Sequence, residues 1–312
     1  MSNIPIVSII MPTYNHEAYI SEAIESVLMQ ETEYSYELLI NDDCSTDNTR
    51  NIAKDYAKKF PDIIKLVYPE TNQGLLKSYK RLMEIAEGKY IAILESDDIW
   101  TDKFKLQKQI SFLETHDDYS LVVGNCLCIN HAGEVIGSKI INFDEKLNGD
   151  WYEELLCENP VGALTICFRK STFDEYCCID DYISKKFMTF DYPLLLSLAA
   201  NSKCFSINEI LAHYRILETS ISNTAIYKKS IAFEDSVCEI QDYIMQKFGK
   251  RNLDEFRYNE CTIRKYIEKT LKFNKVFDFI KYARKLYSHE FKYKMMHYFP
   301  LLWYIQHKIR VK

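Results

Sequence analysis

Several features that would place this chain in common protein classes are missing from its sequence. No run reaches the roughly 18 apolar residues that a membrane-spanning helix needs, and the start, Met1 to Pro5, lacks the basic region and apolar core of a secretory signal. The 10 cysteines form no C-x-x-C pair and no zinc-site spacing. We therefore expect a cytoplasmic protein whose cysteines are reduced.

Two further absences narrow the range of ligands. The net charge of −6 at pH 7 argues against a nucleic-acid partner, because nonspecific binding of that kind needs a basic surface. No G-x-G-x-x-G follows the first predicted strand and no G-x-x-x-x-G-K-[ST] occurs anywhere. Neither a dinucleotide-binding fold nor a P-loop is therefore supported.

Short apolar segments alternate with amphipathic helical patterns over the first hundred residues. This alternation predicts an α/β fold with a mostly parallel sheet flanked by helices. Strands are predicted at residues 6–11, 37–41, 63–68 and 90–94, and later at 120–123, 164–168, 204–207 and 210–215. We expect Pro12 to end the first strand, loops or a short hairpin over 124–160, a helix over 194–200, and only helices after about residue 223.

Two of the predicted strands end at pairs of aspartates. Asp42 and Asp43 follow the second strand, and Asp97 and Asp98 follow the fourth. Ligands bind outside the carboxyl ends of the strands in open α/β sheets, so both pairs should face one cleft. Carboxylate oxygens suit Mg²⁺ or Mn²⁺ rather than zinc. The alternative is a solvated acidic turn at the start of the next helix.

Four short segments occur in a fixed order: Val7-Ser-Ile-Ile-Met-Pro-Thr-Tyr-Asn15, Asn41-Asp-Asp-Cys-Ser-Thr-Asp47, Asn72-Gln-Gly74, and Glu95-Ser-Asp-Asp-Ile-Trp100 with Leu106-Gln-Lys-Gln109 after it. Together they resemble the family-2 glycosyltransferases of the GT-A fold, over residues 5–222. The resemblance is nearest to enzymes that build bacterial capsule, O-antigen or other surface polysaccharide. It implies a GT-A domain over 1–222, with a nucleotide-sugar half (1–123) and an acceptor half (124–222), and a helical C-terminal extension over 223–312.

The resemblance also implies how a nucleotide sugar would be bound. Pro12, Thr13 and Tyr14 would line the nucleotide pocket, with Tyr14 near the uracil. Asp43 would accept a hydrogen bond from the base, and Asp42 would support that loop.

The diphosphate and its metal ion would be held by a second group of residues. Asp97 and Asp98 match the family's D-x-D-type motif, and Asp98 would be the direct ligand of Mn²⁺ or Mg²⁺. Lys77 would touch the diphosphate. Many relatives carry Asp where Glu95 stands, so the part of Glu95 in metal binding is left open. The resemblance also implies a segment that closes on the diphosphate, formed by His213, Tyr214, Arg215, Ser220 and Ser222.

Asp191 matches the position of the family's catalytic base. Inversion at the anomeric carbon needs a carboxylate that removes the proton of the acceptor hydroxyl. Phe190 stands where relatives often carry an acidic residue. The alternative for Asp191 is a helix cap, because Asp before Tyr-Pro-Leu is a good N-terminal capping sequence.

We therefore expect an inverting, metal-dependent transferase that moves a sugar from a UDP-sugar to a hydroxyl of a glycan or lipid-linked acceptor. Two alternatives stay open: a nucleotidyltransferase acting on sugar phosphates, and a non-catalytic nucleotide-sugar-binding protein of the same fold.

The segment 289–312 is aromatic and basic. It predicts either peripheral contact with the inner face of the plasma membrane, or a helix packed on the domain or on a second copy in a homo-oligomer.

Overall fold

The computed structural model describes residues 4–218, 220–221 and 224–283, together with Pro300 and Tyr304. The chain divides into two compact units: unit 1 comprises Met1–Tyr152 and Pro160–Ile216, and unit 2 comprises Glu153–Asn159 and Leu217–Lys312. Among the described helices, none combines the length and the apolar character required to cross a lipid bilayer.

Unit 1 is an α/β structure. Its strands are β1 Val7–Thr13, β2 Tyr36–Asp42, β3 Ile64–Val67, β4 Tyr90–Ile93, β5 Ile99–Trp100, β6 Tyr119–Ile129, β7 Val135–Lys139, β8 Cys167–Arg169 and β9 Lys203–Arg215. Its helices are α1 Ile20–Leu28, α2 Thr49–Lys59, α3 Leu75–Ile85, α4 Lys105–Thr115, α6 Lys170–Tyr176, α7 Ile179–Ser184 and α8 Asp191–Asn201. Helix α5, Tyr152–Cys157, crosses the boundary between the units.

The strands form one sheet in the order β3-β2-β1-β4-β8-β6-β9-β5, and β7 pairs with β6. Strands β1 to β4 are parallel to one another, and so are β6 and β9. Strand β8 runs antiparallel to both of its neighbours, β4 and β6. The predicted α/β fold with a mostly parallel sheet is confirmed.

The core explains why the first strands read as continuous apolar runs. Ile9 of β1, Leu38 of β2 and Ala92 of β4 are fully buried in one cluster with Ile24 of α1 and Ile110 of α4. Helix α3 packs on β1 and β2 as well, so both faces of the sheet are covered. Each large aliphatic side chain buried in this way contributes about 1.5–3 kcal/mol, which fixes the strand ends that carry the aspartates.

The first strand is longer than the sequence predicts. Strand β1 continues through Pro12 to Thr13, whereas the prediction ended it at residue 11. The carbonyl of Ile10 accepts a hydrogen bond from Leu94 on the β4 side, and backbone groups alternate sides along a strand, so the nitrogen of Pro12 faces that same side. Strand β4 ends at Ile93. The proline therefore removes no hydrogen bond from the sheet.

Three other predicted boundaries are wrong. The segment 164–168 begins as a 3₁₀ turn, Ala163–Thr165, before β8 starts. The strands predicted at 204–207 and 210–215 are the single strand β9, whose register with β6 shifts near its middle. Strand β6 continues to Ile129, because β7 and β9 pair with its second half. The hairpin expected within 124–160 is confirmed as β6–β7.

Unit 2 is helical in its described part, as predicted, with α9 Tyr227–Phe248, α10 Glu255–Lys272 and α11 Val276–Ala283. Gln241 of α9 donates to the carbonyl of Leu156 at 2.6 Å. A small apolar cluster joins Ile267, Phe279 and Tyr304. Apart from Pro300 and Tyr304, the segment 289–312 lies outside the described residues. The predicted membrane contact therefore stays a prediction.

Candidate active site

Three carboxylates meet where β4 ends. Strand β4 leads into a turn that carries Glu95, Asp97 and Asp98, and one oxygen of each side chain lies within 4.8 Å of the others. The turn is closed by a backbone hydrogen bond of 3.0 Å from the nitrogen of Asp98 to the carbonyl of Glu95. Three acidic groups this close together repel one another, and a divalent cation with oxygen ligands would relieve that repulsion.

Asp98 is the most buried member of this cluster, at 1% exposure. Its Oδ1 accepts a hydrogen bond of 2.7 Å from the backbone nitrogen of Arg215, while its Oδ2 is buried and has no hydrogen-bond partner among the described residues. Burial raises the pKa of Asp98 well above its usual value, and the charges of Asp97 and Glu95 raise it further. A buried carboxylate oxygen without a donor, facing two more carboxylates, fits a cation ligand.

Glu95 belongs to the same cluster. The sequence left open whether Glu95 takes part in metal binding, and the structure shows that its carboxylate lies beside those of Asp97 and Asp98. Its Oε1 accepts a hydrogen bond of 3.0 Å from the hydroxyl of Tyr79. Burial raises the pKa of Glu95 to about 8, with further contributions from the charges of Asp97 and Asp191, and Lys139 acts in the opposite direction. The extra methylene of Glu95 therefore does not remove the carboxylate from the site.

The side chain of Arg215 stabilises this acidic turn through hydrogen bonds to its backbone. Its guanidinium is 3% exposed and donates from Nε to the carbonyl of Asp97 at 2.8 Å. The other nitrogens reach the carbonyls of Asn130 and His131 and the carboxylate of Glu22. The resemblance implied that this residue closes on a diphosphate, but in this structure its guanidinium binds the protein's own backbone.

The other aspartate pair ends β2. Asp42 is fully buried, accepts a hydrogen bond of 2.5 Å from Nε of Arg50, and accepts a longer one from the nitrogen of Ser45. Asp43 accepts from the backbone nitrogens of Gln73 at 2.9 Å and Gly74 at 2.7 Å. Asp42 thus supports its own loop, and Asp43 fixes the turn that begins α3.

The turn at Gly74 depends on glycine. Its φ is +88°, a conformation that L-residues with a side chain rarely adopt. The two amide hydrogen bonds to Asp43 bring the first turn of α3 to the ends of β1 and β2. Lys77 lies in that first turn and is exposed, with no ion pair recorded among the described residues.

The end of β1 presents three neighbouring positions of the predicted nucleotide pocket. Pro12 is buried, Thr13 is 3% exposed, and Tyr14 is 43% exposed. The Oγ1 of Thr13 is buried and has no hydrogen-bond partner in the structure. Thr13 pairs with Asp42 in the register of β1 and β2, so the sheet brings these predicted positions together.

Asp191 is the first residue of α8, and Phe190 before it occupies the N-cap position. The carboxylate of Asp191 accepts a hydrogen bond from the hydroxyl of Thr189. Its charge raises the pKa values of both Glu95 and Tyr79, so its carboxylate is an electrostatic neighbour of the acidic turn. Asp191 is therefore not the N-cap residue of this helix.

The remaining predicted positions are spread more widely. His213 pairs with Ile99 across β9 and β5, and burial lowers its pKa, which favours the neutral ring. It takes no part in the acidic cluster found among the described residues. Ser222 lies outside the described residues.

Sequence reasoning missed two residues at the site. Tyr79 contacts Glu95 from α3, and the ring of His16 lies with Nδ1 2.8 Å from Oγ of Ser96 and 3.9 Å from Oδ1 of Asp97. Neither contact is local in sequence. In the sequence, Tyr79 is visible only as a tyrosine on the apolar face of a helix, and His16 only as the residue after the matching segment that ends at Asn15. Neither pattern identifies the residue that the side chain contacts.

The fold and these carboxylates place the chain in a known class of transferases. The sequence profile described as "Glycosyl transferase family 2" matches residues 8–177, more than half of the chain. The chain belongs to this family, and it is a glycosyltransferase. The GT-A interpretation of the sequence is confirmed.

Relatives and solved structures agree with that membership. TuaG of Bacillus subtilis, named for teichuronic acid biosynthesis, is 32% identical over 70% of this chain and 82% of its own. WfgD of Escherichia coli, named as a UDP-Glc:α-D-GlcNAc-diphosphoundecaprenol β-1,3-glucosyltransferase, is 34% identical over 70% of this chain and 80% of its own. The crystal structure of Staphylococcus aureus TarS 1–349 in complex with UDP-GlcNAc has the same fold, with a TM-score of 0.60 and 18% identity over 90% of this chain and 81% of that one.

Proposed function

We propose that this glycosyltransferase moves a sugar, with inversion and with the help of a divalent metal, from a UDP-sugar to a hydroxyl group of a glycan or lipid-linked acceptor. The single observation that carries the proposal is the buried, unpartnered Oδ2 of Asp98 beside two further carboxylates. This arrangement is costly in a protein unless the carboxyl group takes up a proton or a cation binds there.

Asp98 and Asp97 would hold Mn²⁺ or Mg²⁺, and Glu95 supplies a third carboxylate within reach. When bound, the cation acts as a Lewis acid that offsets the charge of the departing diphosphate, an effect of several kcal/mol on the transition state. Asp98 keeps one oxygen for this task because Arg215 donates only to the other. Asp97 is oriented by Arg215 through its carbonyl.

Asp191 acts as the general base. It lies in the first turn of α8. Its electrostatic effect on the pKa of Glu95 supports a position near the acidic turn. In that position it removes the proton of the attacking hydroxyl, a contribution of about 10²–10⁴ in rate.

The nucleotide is bound along the ends of β1 and β2. Tyr14 offers an exposed ring for the uracil, and Thr13 has a free buried hydroxyl. A carboxylate has about four acceptor positions. The backbone nitrogens that bond to Asp43 leave room for one donor from the base. Lys77 extends from the first turn of α3 as a cation for the diphosphate.

The names of the relatives support the choice of substrates. TuaG is named for the synthesis of a teichuronic acid, and the name of WfgD gives UDP-Glc as donor and a diphosphoundecaprenol-linked sugar as acceptor. TarS of the same fold was crystallised with UDP-GlcNAc. By extension, this chain works in the synthesis of a cell-surface polysaccharide, and a lipid-linked acceptor would bring it to the membrane surface.

A donor panel scored for UDP release with Mn²⁺ tests the proposal. Asp98→Asn is expected to abolish transfer and Mn²⁺ binding, whereas Asp191→Asn abolishes transfer and leaves the affinity for UDP nearly intact. Asp180→Asn is the matched control, because Asp180 is exposed on α7 and its ion-pair partner among the described residues is Lys80. It should leave transfer unchanged.

Three results would contradict the proposal. Full activity of Asp191→Asn would remove the base, release of pyrophosphate in place of UDP would indicate a nucleotidyltransferase, and nucleotide-sugar binding without any turnover would indicate a binding protein.

A further inference from the structure

Tyr79 contacts both chemical halves of the site. It lies on α3 with 1% exposure, and its hydroxyl donates to Oε1 of Glu95 at 3.0 Å. Its ring stacks on Phe190, with ring centres 4.1 Å apart and an angle of 15° between the planes. Phe190 directly precedes Asp191, the first residue of α8. The side chain of Tyr79 therefore contacts both Glu95 in the acidic turn and the residue before Asp191.

The two partners of Tyr79 are Glu95 and Phe190, two of the positions at which the family resemblance described above is imperfect. The longer Glu95 reaches the phenol of Tyr79, and the aromatic Phe190 offers a face for its ring. Both departures are therefore accommodated by one residue.

The environment keeps the phenol of Tyr79 a hydrogen-bond donor. Burial raises the pKa of Tyr79 well above its usual value, and the charges of Glu95, Asp191 and Asp98 act in the same direction. The ring of Phe190 is itself held in place, because it is fully buried and its centre lies 6.3 Å from that of Phe173. An aromatic pair of this kind stabilises the structure beyond the effect of the area that it buries.

We propose that Tyr79 is a positioning residue that fixes Glu95 beside the metal-binding aspartates through its hydroxyl, and fixes the first turn of α8, with Asp191, through its ring. This role rests on the proposed function, since it assigns Tyr79 to the same metal site and base. The two parts of the side chain serve different steps. The hydroxyl governs the affinity for the cation, and the ring governs the rate of proton removal.

Two substitutions separate these parts. Tyr79→Phe keeps the stack and removes the hydroxyl, so the concentration of Mn²⁺ for half-maximal activity should rise about 10-fold, as for other partners of metal ligands. The kcat at saturating Mn²⁺ should stay within about 3-fold. Tyr79→Leu removes the stack as well. A small displacement of the base then lowers kcat about 100-fold further, with the KM for the donor nearly unchanged.

Two controls distinguish this role from a loss of stability. Tyr182→Phe removes another fully buried phenol, whose hydroxyl lies 3.3 Å from Ser197 on α8, and it should leave both parameters unchanged. In a Glu95→Ala background, Tyr79→Phe should have no additional effect on Mn²⁺ activation, because the hydroxyl acts through Glu95.

Calorimetry of Mn²⁺ and UDP binding completes the test, because it needs no turnover. Suppose that the wild type binds both ligands and that the Tyr79 variants match it in Mn²⁺ affinity and in kcat. That result overturns the role of Tyr79 and leaves the proposed function standing. Additive effects of Tyr79→Phe and Glu95→Ala also overturn it. A wild type that binds neither ligand overturns both proposals.

Discussion

Replacement of Arg215 gives a sharp test of how the acidic turn is held. The guanidinium is 3% exposed and donates to the carbonyls of Asp97, Asn130 and His131 and to the carboxylate of Glu22. Arg215→Lys keeps the charge, but a single ammonium group cannot reach four acceptors that lie in different directions. The half-buried carbonyl of Asp97 is then left without its partner.

The magnitude follows from those contacts. A buried polar group left without its partner costs about 1–3 kcal/mol. The carbonyl of Asn130 keeps a hydrogen bond from the nitrogen of Gly133, and His131 is exposed, so the main loss is at the carbonyl of Asp97 and amounts to about 1–3 kcal/mol. The exposed partner Glu22 adds little. For a unit of this size each kcal/mol lowers the midpoint of thermal unfolding by about 2–4 °C, which gives a decrease of roughly 5 °C.

Differential scanning calorimetry and Mn²⁺ titration measure the two consequences. Arg215→Lys should lower the unfolding temperature and weaken Mn²⁺ binding about 10–100-fold, because the turn that carries Asp97 loses its support. Arg169→Lys is the matched control. Arg169 also donates to backbone carbonyls, those of Tyr119, Leu113 and His116, but away from the acidic turn. It should lose stability and keep its Mn²⁺ affinity.

One result would refute this reasoning. If Arg215→Lys unfolds within about 2 °C of the wild type and loses affinity for UDP alone, the guanidinium serves a diphosphate and not the acidic turn. The sequence resemblance implied that role, so the experiment decides between two specific assignments of one residue.

Two further predictions concern stability and the membrane. Lys105 is fully buried against the ring of Trp100, and burial lowers its pKa from 10.5 to about 7. Between pH 7 and 10.5 the unfolded chain therefore holds a proton that the folded protein has released at this amine, so the contribution of Lys105 to the free energy of unfolding should rise with pH across that window. Lys105→Met should abolish this rise and stabilise the protein at pH 7, as measured by urea unfolding; an unchanged slope would contradict the burial of a titrating amine. Replacing Lys308, Arg310 and Lys312 by Gln should weaken binding to anionic vesicles about 100-fold at low salt, at about 1 kcal/mol per charge. Equal binding of both forms, or no binding by the wild type, would refute the membrane contact.

The stability prediction also explains one segment of the family resemblance. Gln109 accepts from the amine of Lys105 at 2.7 Å and donates to the carbonyls of Val122 and Thr165. All of these atoms are buried beneath the sheet. The matching segment Leu106 to Gln109 is therefore part of the scaffold that joins α4 to β6, and it does not reach the acidic cluster.

Much of the architecture was determined by local sequence. The apolar segments ending at Asp42 and Asp98 predict strands buried on both faces, and burial of such runs requires helices on either side. Parallel strands bring their carboxyl ends to one edge, so two aspartate pairs separated by about fifty residues were predicted to face one cleft. Gly74 belongs to one of the segments that carry the family resemblance, and its φ of +88° gives a physical reason for glycine at this position.

Tertiary structure alone decided which side chains touch these carboxylates. The contacts of Tyr79 with Phe190 and of Arg215 with Asp97 join residues more than a hundred positions apart, and such pairs leave no periodic trace in the sequence. The passage of β1 through Pro12 was equally hidden, because a proline is tolerated only when the neighbouring strand has already ended. Periodicity along the chain determines which face of a helix or strand is buried. The packing of distant elements determines which atoms contact that face, and among the described residues it left one oxygen of Asp98 without a hydrogen-bond partner.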